Sequence, residues 1–580
     1  MIVLGLHDGH NAAACLMRDG AIVAAHQEER LSRVKNQAGF PARAIASVLA
    51  IAGIESRQVD RVAIAGRMLH QAPPSPEMQR LNYKRGCDRR IRWRHALKGT
   101  FLDRIHQSRL ATARIGRVRE AGIAAPVEFV DHHLCHAAAA YYGWGRSERE
   151  VLVLTLDGAG DRLCATVNVG VDGRLQRIAQ VPEVASLGLV WANVTALVGM
   201  TAVEHEYKLM GLAPYASARA SERVSQRFGE LFGFADEGLT WRFNYGAPPA
   251  TRCYEFIRGL LEFERFDAIA GGLQLFTERF ISSWVRNCVH RLKIPRVALG
   301  GGVFMNVKVN KALMELGEIE ELFVFPSCGD ETNAIGACYQ VTAALGRRVQ
   351  PVSDLYWGPQ FSERDINIAV RAHRFSAPVT IRESAAIDED SAALLARGEI
   401  VGRFSGREEF GARSLGNRAL LAPPRAHESV RQLNDLIKQR DFWMPFALSM
   451  LKERAAEYMR NPKDLPAQYM ILAFDTLPEG RQFVAGVHPR DFSVRPQLVS
   501  SADNPPYYRL LRAYERLTGD GAVVNTSLNL HGEPLVSAPA DALRLFELSG
   551  LRHLAIGDLM ISKQGLIPDR PSRPLVEVRP

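Results

Sequence analysis

Two stretches decide the fold: IVLGLHDGHNAAACLMRDGAIVAA at residues 2–25 and VLVLTLDGAGDRLCATVNVGVDG at residues 151–173. In the first, Ile2 to Leu6 reads as a strand, His7 to Asn11 as a polar turn, and Ala12 to Met17 as a second strand. The tight turn Asp19-Gly20 then leads into a third strand, Ala21 to Ala25. Apolar runs separated by Asp-Gly pairs mark hairpin-linked strands. The second stretch repeats the pattern, with Val151 to Leu156, the turn Asp157 to Asp161, Leu163 to Val169, and Asp172-Gly173 before another strand. Such a recurrence points to an internal duplication.

Paired strand, Asp/Gly turn, strand units are the grammar of the actin-like ATPase fold, in which two related halves bring their turns to phosphate through backbone N–H groups. Unrelated hairpins are the alternative. Farther along, the strand Arg296 to Leu299 runs into Gly300-Gly301-Gly302-Val303-Phe304-Met305-Asn306 and then a helical segment, which lets a ligand approach the backbone and a helix N-terminus. A tight strand-to-helix turn is the alternative reading. A second such passage, Pro326 to Gly336 after the strand Leu322 to Phe325, places Asp330 near the start of a small-residue helix. The polar Gly/Pro stretch Leu345 to Pro351 is read as a domain boundary, dividing the chain into 1–350 and 351–580.

Of the 580 residues, 47% are hydrophobic and 23% charged, a balance that excludes a disordered or low-complexity chain. Lys plus Arg number 72 against 63 Asp plus Glu, a net +9 that suits an anionic ligand but is diluted over the length. The eight cysteines are scattered without a CxxC pair, so a reducing cytoplasmic location is expected. Residues after Met1 show no basic segment leading an apolar one, and no signal peptide is expected. Val184 to Val203 is uncharged, yet Ser186, Gly188, Asn193, Thr195, Gly199 and Thr201 dilute it and Glu183 and Glu204 flank it. It reads as a buried helix, with no membrane partner.

The sharpest chemical motif is Asp131-His132-His133-Leu134-Cys135-His136, followed by an alanine run that favours helix. His132 and His136 are four apart, so both imidazoles project from one helical face within reach of one divalent cation; a purely structural pair is the alternative. Asp330 is the candidate third ligand, and two His with one carboxylate suit Fe(II) or Zn(II) with positions left for substrate oxygens. An N-cap is its alternative role. His10, in the first turn, is a candidate general base at neutral pH. Lys208, in Glu204 to Pro214, is placed either on a phosphate or in an ion pair.

In the second domain, Gly406 to Arg418 interleaves glycines with Arg407, Arg413 and Arg418, as convergence of planar guanidiniums on phosphate or carboxylate oxygens requires. Lys438, Arg440, Arg495 and Asn525-Thr526-Ser527-Leu528-Asn529 are candidates for the same pocket. Arg80 to Lys98 carries eight basic residues and one acid, with Tyr83 and Trp93 between them. A solvated helix or loop over the site is the preferred reading there, and nucleic acid is not expected as a partner.

Taken together, the sequence resembles the O-carbamoyltransferases of the NodU/CmcH family, which act on nodulation factors and antibiotics. The resemblance is carried by His10-Asn11-Ala12-Ala13, Gln27-Glu28-Glu29-Arg30, His132-His133-Leu134-Cys135-His136, Lys208 to Pro214, Glu409 to Arg418, and Asn525 to Asn529 with Gly532-Glu533-Pro534. It implies an actin-like N-terminal domain, similar to the metal-binding protein of tRNA threonylcarbamoyl-adenosine synthesis, followed by a YrdC-like α/β domain. The second domain would make carbamoyl-adenylate from carbamoyl phosphate and ATP, with Mg2+ accompanying ATP. The first would transfer the carbamoyl group to a hydroxyl of a small natural-product or sugar-like acceptor.

Carried over by position, His132, His136 and Asp330 would hold the metal, iron as Fe(II), and His10 would be the base. Asp157, Lys208, Gly301, Gly302 and Asn306 would face the adenylate. Arg413, Arg418, Lys438, Arg440, Arg495, Asn525 and Ser527 would bind carbamoyl phosphate and ATP. The sequence departs from the pattern at Asn11, where many relatives carry Asp, at Leu528 in place of a frequent Phe, and at an extra residue in His488 to Arg495. A threonylcarbamoyl-type tRNA-modifying enzyme and a non-catalytic nucleotide- or RNA-binding protein are the alternative functions.

Overall fold

The computed structural model describes residues 1–68, 101–146, 148–244, 248–438 and 440–564. The basic segment 80–98 and Cys87 lie outside the described residues. The first sheet contains β1 (Ile2–His7), β2 (Ala13–Arg18), β3 (Ala21–Gln27), β4 (Arg61–Ala65) and β5 (Val127–Val130), in the order β3-β2-β1-β4-β5. β1 to β3 form an antiparallel meander, and β4 and β5 extend it in parallel.

The second sheet repeats this topology. β6 (Val151–Gly160), β7 (Leu163–Val171) and β8 (Arg174–Pro182) form the meander. After a hairpin of β9 (Phe232–Ala235) and β10 (Thr240–Phe243), β11 (Arg296–Gly300) and β12 (Glu321–Val324) add in parallel, giving the order β12-β11-β6-β7-β8. The expected duplication is therefore present strand for strand, and with it the actin-like architecture.

Local chemistry sets the hairpins. Asp19-Gly20, Asp161-Arg162 and Asp172-Gly173 all have positive φ at both turn positions, the backbone that matches strand twist. One expectation shifts: β6 does not end at Leu156 but continues to Gly160, with an irregularity between Leu156 and Gly160. Asp157, Gly158 and Ala159 thereby leave the ladder, which frees the Asp157 side chain.

In each half a helix follows the fifth strand, His132–Trp144 in the first and Asn333–Ala344 in the second. Their small residues, Ala137 to Ala140, Ala334 and Ala337, pack together between Val3, Ala13 and Ala63 of one sheet and Val151, Val153 and Ala298 of the other. The approach is close enough that a Cβ on Gly336 would lie 1.9 Å from the Cys135 carbonyl oxygen. Both helix N-termini consequently meet at the seam. Val184 to Val203 yields the buried helix Leu187–Leu197, and no helix among the described residues is long and apolar enough to cross a membrane.

Past the polar stretch ending at Pro351, an eight-stranded mixed sheet comprises β13 (Val379–Glu383), β14 (Val401–Phe404), β15 (Arg418–Ala422), β16 (Ala447–Leu451), β20 (Pro496–Val499), β21 (Ala522–Ser527), β22 (His553–Ile556) and β23 (Leu559–Lys563). Three short strands, β17 (Met459–Arg460), β18 (Phe474–Thr476) and β19 (Ser493–Val494), form a separate small sheet. Ala419 and Leu421 of β15 pack under the helices Ile387–Ala396 and Pro505–Thr518, while Leu420 and Ala422 point to the other face. That alternation is the period of a strand covered on both sides. The apolar cluster on the second face is continuous with that of the second half-sheet. The chain is thus α/β throughout, an actin-like duplicated part followed by a C-terminal α/β domain.

Polar clamps lock the two parts. Arg30, buried, donates to Glu408 Oε1 at 2.6 Å and to the Glu409 and Gly411 carbonyls at 3.1 and 2.5 Å. Arg33 reaches the Pro534 and Leu535 carbonyls, and Asn310 donates to the Ile471 carbonyl at 2.8 Å.

Candidate functional site

At the seam of the duplicated halves, His132 and His136 come from the helix after β5, Asp330 from the single turn Asp330–Thr332 that leads into the helix after β12, and Asp157 from the irregularity in β6. One donor atom from each lies within 4.8 Å of the other three. His132 Nε2 is 3.0 Å from Asp157 Oδ2 and 3.5 Å from Asp330 Oδ1, and His136 Nε2 is 3.7 and 3.4 Å from the same atoms. Asp131 caps the histidine helix by accepting from Leu134 N at 2.9 Å, and Asp161 accepts from His132 N at 2.7 Å. The helix start is therefore pinned, not frayed.

Charge balance follows from this geometry. Burial works against a protonated His132, but Asp330 and Asp157 overcome it and raise its pKa to about 9. The His136 pKa is raised in the same way, against burial, by Asp157 and Asp330. Against their own burial, the carboxyls of Asp157 and Asp330 are held below the usual range, Asp157 by both imidazoles and Asp330 by His132 above all. Two imidazoles and two carboxylates around one point suit a divalent first-row cation, so the donor set fits the metal expected here.

Asp157, expected on the adenylate, is a fourth member of the cluster. In the fold its Oδ2 joins the cluster while Oδ1 accepts from Gly302 N at 3.1 Å. His7, which has no assigned role in the sequence, also stands here: its Nε2 is 3.8 Å from Asp330 Oδ2 and donates to the His10 carbonyl at 2.9 Å. Burial lowers the pKa of His7 to about 4, so that ring is neutral at physiological pH. The motif His7-Asp8-Gly9-His10 was the available signal, but only the sheet shows which histidine faces Asp330. Asp8 is taken by Arg114, with Nη2 and Nε at 2.6 and 2.7 Å from its two oxygens.

A cavity of about 1340 Å³ extends from this cluster between the two parts of the chain. One wall carries His10, His132, Asp157, Asp330, Gly302 and Asn306, and another carries Arg413, Lys438, Arg440, Arg495 and Ser527. Among the described residues no carboxylate ion-pairs with Arg413, Lys438, Arg440 or Arg495. Burial, then repulsion from Arg440, brings the Arg413 pKa down to about 10; burial and the charges of Arg413 and Arg440 act likewise on Arg495. Buried Nε atoms of Arg413 and Arg495 have no hydrogen-bond partner among the described residues. Converging unpaired guanidiniums cost several kcal/mol to bury, and an anion removes that cost.

Three expectations for this wall, and one for the wall opposite, need correction. Arg418 is fully buried with its guanidinium 3.7 Å from the Phe404 ring centroid, donating to the Ser405, Gly406 and Pro359 carbonyls, and it does not reach the cavity. Asn525 is spent inside the sheet on the Ser414 carbonyl, Ser449 and Gln497. Lys438 lines the cavity, but its ammonium donates to Ser527 O, Asn529 O and Asn529 Oδ1 at 2.5, 3.1 and 2.6 Å. It holds the Ser527–Asn529 loop, and the free donors are the arginines. Gly301 is a backbone requirement, not a cavity residue: its φ is +102°, and a Cβ would lie 2.5 Å from the Leu156 carbonyl oxygen.

Elsewhere the positions agree with expectation in part. Lys208 lines the cavity 3.1 Å from Asp441 Oδ2, the ion pair of its alternative reading. Asn306 caps the helix Val307–Met314, accepting from Lys308 N and Val309 N, and also lines the cavity.

The family model Carbamoyltransferase N-terminus matches residues 2–339, and the model Carbamoyltransferase C-terminus matches residues 392–563. Nodulation protein NolNO of Sinorhizobium fredii is 30% identical over 583 residues, covering 98% of this chain and 82% of its own. Nodulation protein NolO of Bradyrhizobium diazoefficiens is 30% identical over 442 residues, with 75% and 79% covered. Full-length HypF, solved in a phosphate- and nucleotide-bound form, is 14% identical with a TM-score of 0.36 over 60% of this chain and 56% of its own, a likeness too loose to bear on function.

Proposed function

This chain belongs to the carbamoyltransferase family, and we propose that it is an ATP-dependent O-carbamoyltransferase working in two steps within one cavity. In the first, water releases phosphate from carbamoyl phosphate to leave carbamate, a carbamate oxygen attacks the α-phosphorus of ATP, the bond to the β-phosphate breaks, and pyrophosphate leaves with carbamoyl-adenylate formed. In the second, a hydroxyl of a small-molecule acceptor attacks the carbamoyl carbon, the acyl–oxygen bond breaks, and AMP leaves. A carbamate is a poor electrophile, whereas its mixed anhydride with AMP has a stabilised leaving group.

The observation that carries this reading is the shared cavity, with a His/Asp cluster at one wall and unpaired arginines at another. Arg413, Arg440 and Arg495 bind the phosphates, and the loop held by Lys438 presents the Ser527 hydroxyl beside them. His132, His136, Asp157 and Asp330 would hold a divalent cation, with Fe(II) the proposed ion. Such an ion supplies Lewis-acid stabilisation of charge on the transferring group. His10 accepts the acceptor's hydroxyl proton on an imidazole nitrogen, and His7, donating to its carbonyl, fixes the turn that carries it. A cytoplasmic location and Mg2+ accompanying ATP complete the proposal.

Incubation with carbamoyl phosphate, ATP and Mg2+ tests the first step. Carbamoyl-adenylate with release of phosphate is the expected result; absence of both defeats the proposal. Candidate alcohols then test the second by mass spectrometry, and carbamoylation of a tRNA base in their place would substitute the tRNA-modifying alternative.

A further inference from the structure

Asn333 opens the helix Asn333–Ala344 and is fully buried beside the His/Asp cluster. Its Nδ2 lies 3.2 Å from His136 Nε2, 3.4 Å from His132 Nδ1 and 3.5 Å from Asp330 Oδ1. Its Oδ1 is buried with no hydrogen-bond partner among the described residues. Which end of a carboxamide faces a site is decided by the hydrogen bonds available there, and the two ends are nearly the same shape.

With nitrogen inward, the N–H group faces Asp330 Oδ1 as an acceptor at 3.5 Å. With a cation among the four donors, His132 and His136 direct their Nε2 lone pairs at it, because those are the atoms that face Asp157 and Asp330. His132 Nδ1 then carries its proton, so the Asn333 N–H group would face another donor. It would also turn the positive end of the amide dipole toward the ion. Rotating the carboxamide half a turn removes both conflicts, in exchange for the long 3.5 Å contact with Asp330 Oδ1.

Resting on the proposed metal role of the cluster, we propose that Asn333 is a fifth side chain of this centre. Its oxygen, not its nitrogen, faces the ion-loaded cluster and accepts from His132 Nδ1–H. A partner on the far nitrogen of a metal-binding histidine orients the ring and raises its basicity, and losing it typically costs about 10- to 100-fold in metal affinity. Nothing in the sequence marks this residue, since Asn333 reads as one more small polar position at a helix start.

Mn2+ titration by calorimetry tests the inference on wild type, Asn333→Ala, Asn333→Asp and the reference variant His136→Ala, with thermal unfolding of each ion-free protein as the check on folding. Asn333→Ala is expected to bind about 10- to 100-fold more weakly than wild type. Asn333→Asp keeps an oxygen at the position and should bind at least as tightly as wild type. Equal weakening of both variants would show that the oxygen is not what matters and overturn the inference. So would wild-type affinity in Asn333→Ala alongside a loss in His136→Ala, which would leave the metal reading standing. A wild type that binds neither Mn2+ nor Co2+ overturns both.

Discussion

At the scale of single residues, the site is a contrast between cations that are paired and cations that are not. Arg418 and Arg413 sit five apart in one glycine-rich motif, yet the Nη atoms of Arg418 donate to backbone carbonyls while Arg413 lines the cavity. Arg495 is in the same position as Arg413, so replacing it should have effects of opposite sign. Arg495→Met removes a buried unpaired charge and should raise the melting temperature of the ligand-free protein. The same change should weaken nucleotide binding by about 10- to 100-fold, the worth of a charge-assisted hydrogen bond at roughly 1.5–3 kcal/mol. Thermal shift with and without ATP reads both; a lower melting temperature without ATP would show that Arg495 is structural. For Asp157, substitution by Asn keeps the Gly302 contact but removes charge from the cluster, and at least a tenfold loss in Mn2+ affinity is expected. Unchanged affinity would return Asp157 to the adenylate alone.

Between elements, the decisive contact is the one that joins helix Glu28–Ser32 to the strand-linking segment before β15. Glu408 is buried, which alone would raise its pKa, but His26 and Arg30 bring it down to about 2. A carboxyl depressed in the folded state adds stability above its unfolded value, near 4.5, and loses it as pH falls toward 2. Acid melts should therefore show a steeper loss of stability between pH 4.5 and 2 in wild type than in Glu408→Gln. Equal slopes would remove Glu408 from the account. Breaking the pair from the other side, Arg30→Met leaves the buried carboxylate with only His26 and the Ser537 hydroxyl beside it and should cost about 3 kcal/mol near neutral pH, measured by urea unfolding. Sequence reading had grouped Gln27 to Arg30 with the family resemblance but assigned it no task. In the fold, Gln27 and Arg30 of this motif bond to residues 408–411 of the C-terminal part.

For the whole molecule, the prediction is that the two steps separate by wall. His136→Ala should still release phosphate and form carbamoyl-adenylate, because the arginine wall is intact, but should not transfer the carbamoyl group to an alcohol. Arg495→Ala should slow both steps, since the second depends on the product of the first. Chromatographic detection of AMP, carbamoyl-adenylate and product on one sample distinguishes them. Were His136→Ala to stop adenylate formation, the cavity would hold a single indivisible site. Were Arg495→Ala to slow transfer of supplied carbamoyl-adenylate, the arginines would act on the second step directly.

Much of this was present in the amino-acid order. Repeated apolar runs with Asp-Gly turns determined the duplicated sheet, since strand period and turn backbone are local properties, and His132 and His136 shared a face because helix geometry is local too. Asp330 stood out as a candidate by its place before a helix. What required the tertiary structure was every partnership across distance: Asp157 enters the cluster because β6 loosens after Leu156, a detail of register that neighbouring residues do not encode. Which arginines face the cavity, why Lys438 serves a loop, and why Asn333 touches two histidines were settled by how the sheets and the ligand-bearing helices pack. Side-chain direction at a buried seam depends on what lies opposite, and in this chain the opposite residue is often 200 or so positions away, as from Asn333 to His132.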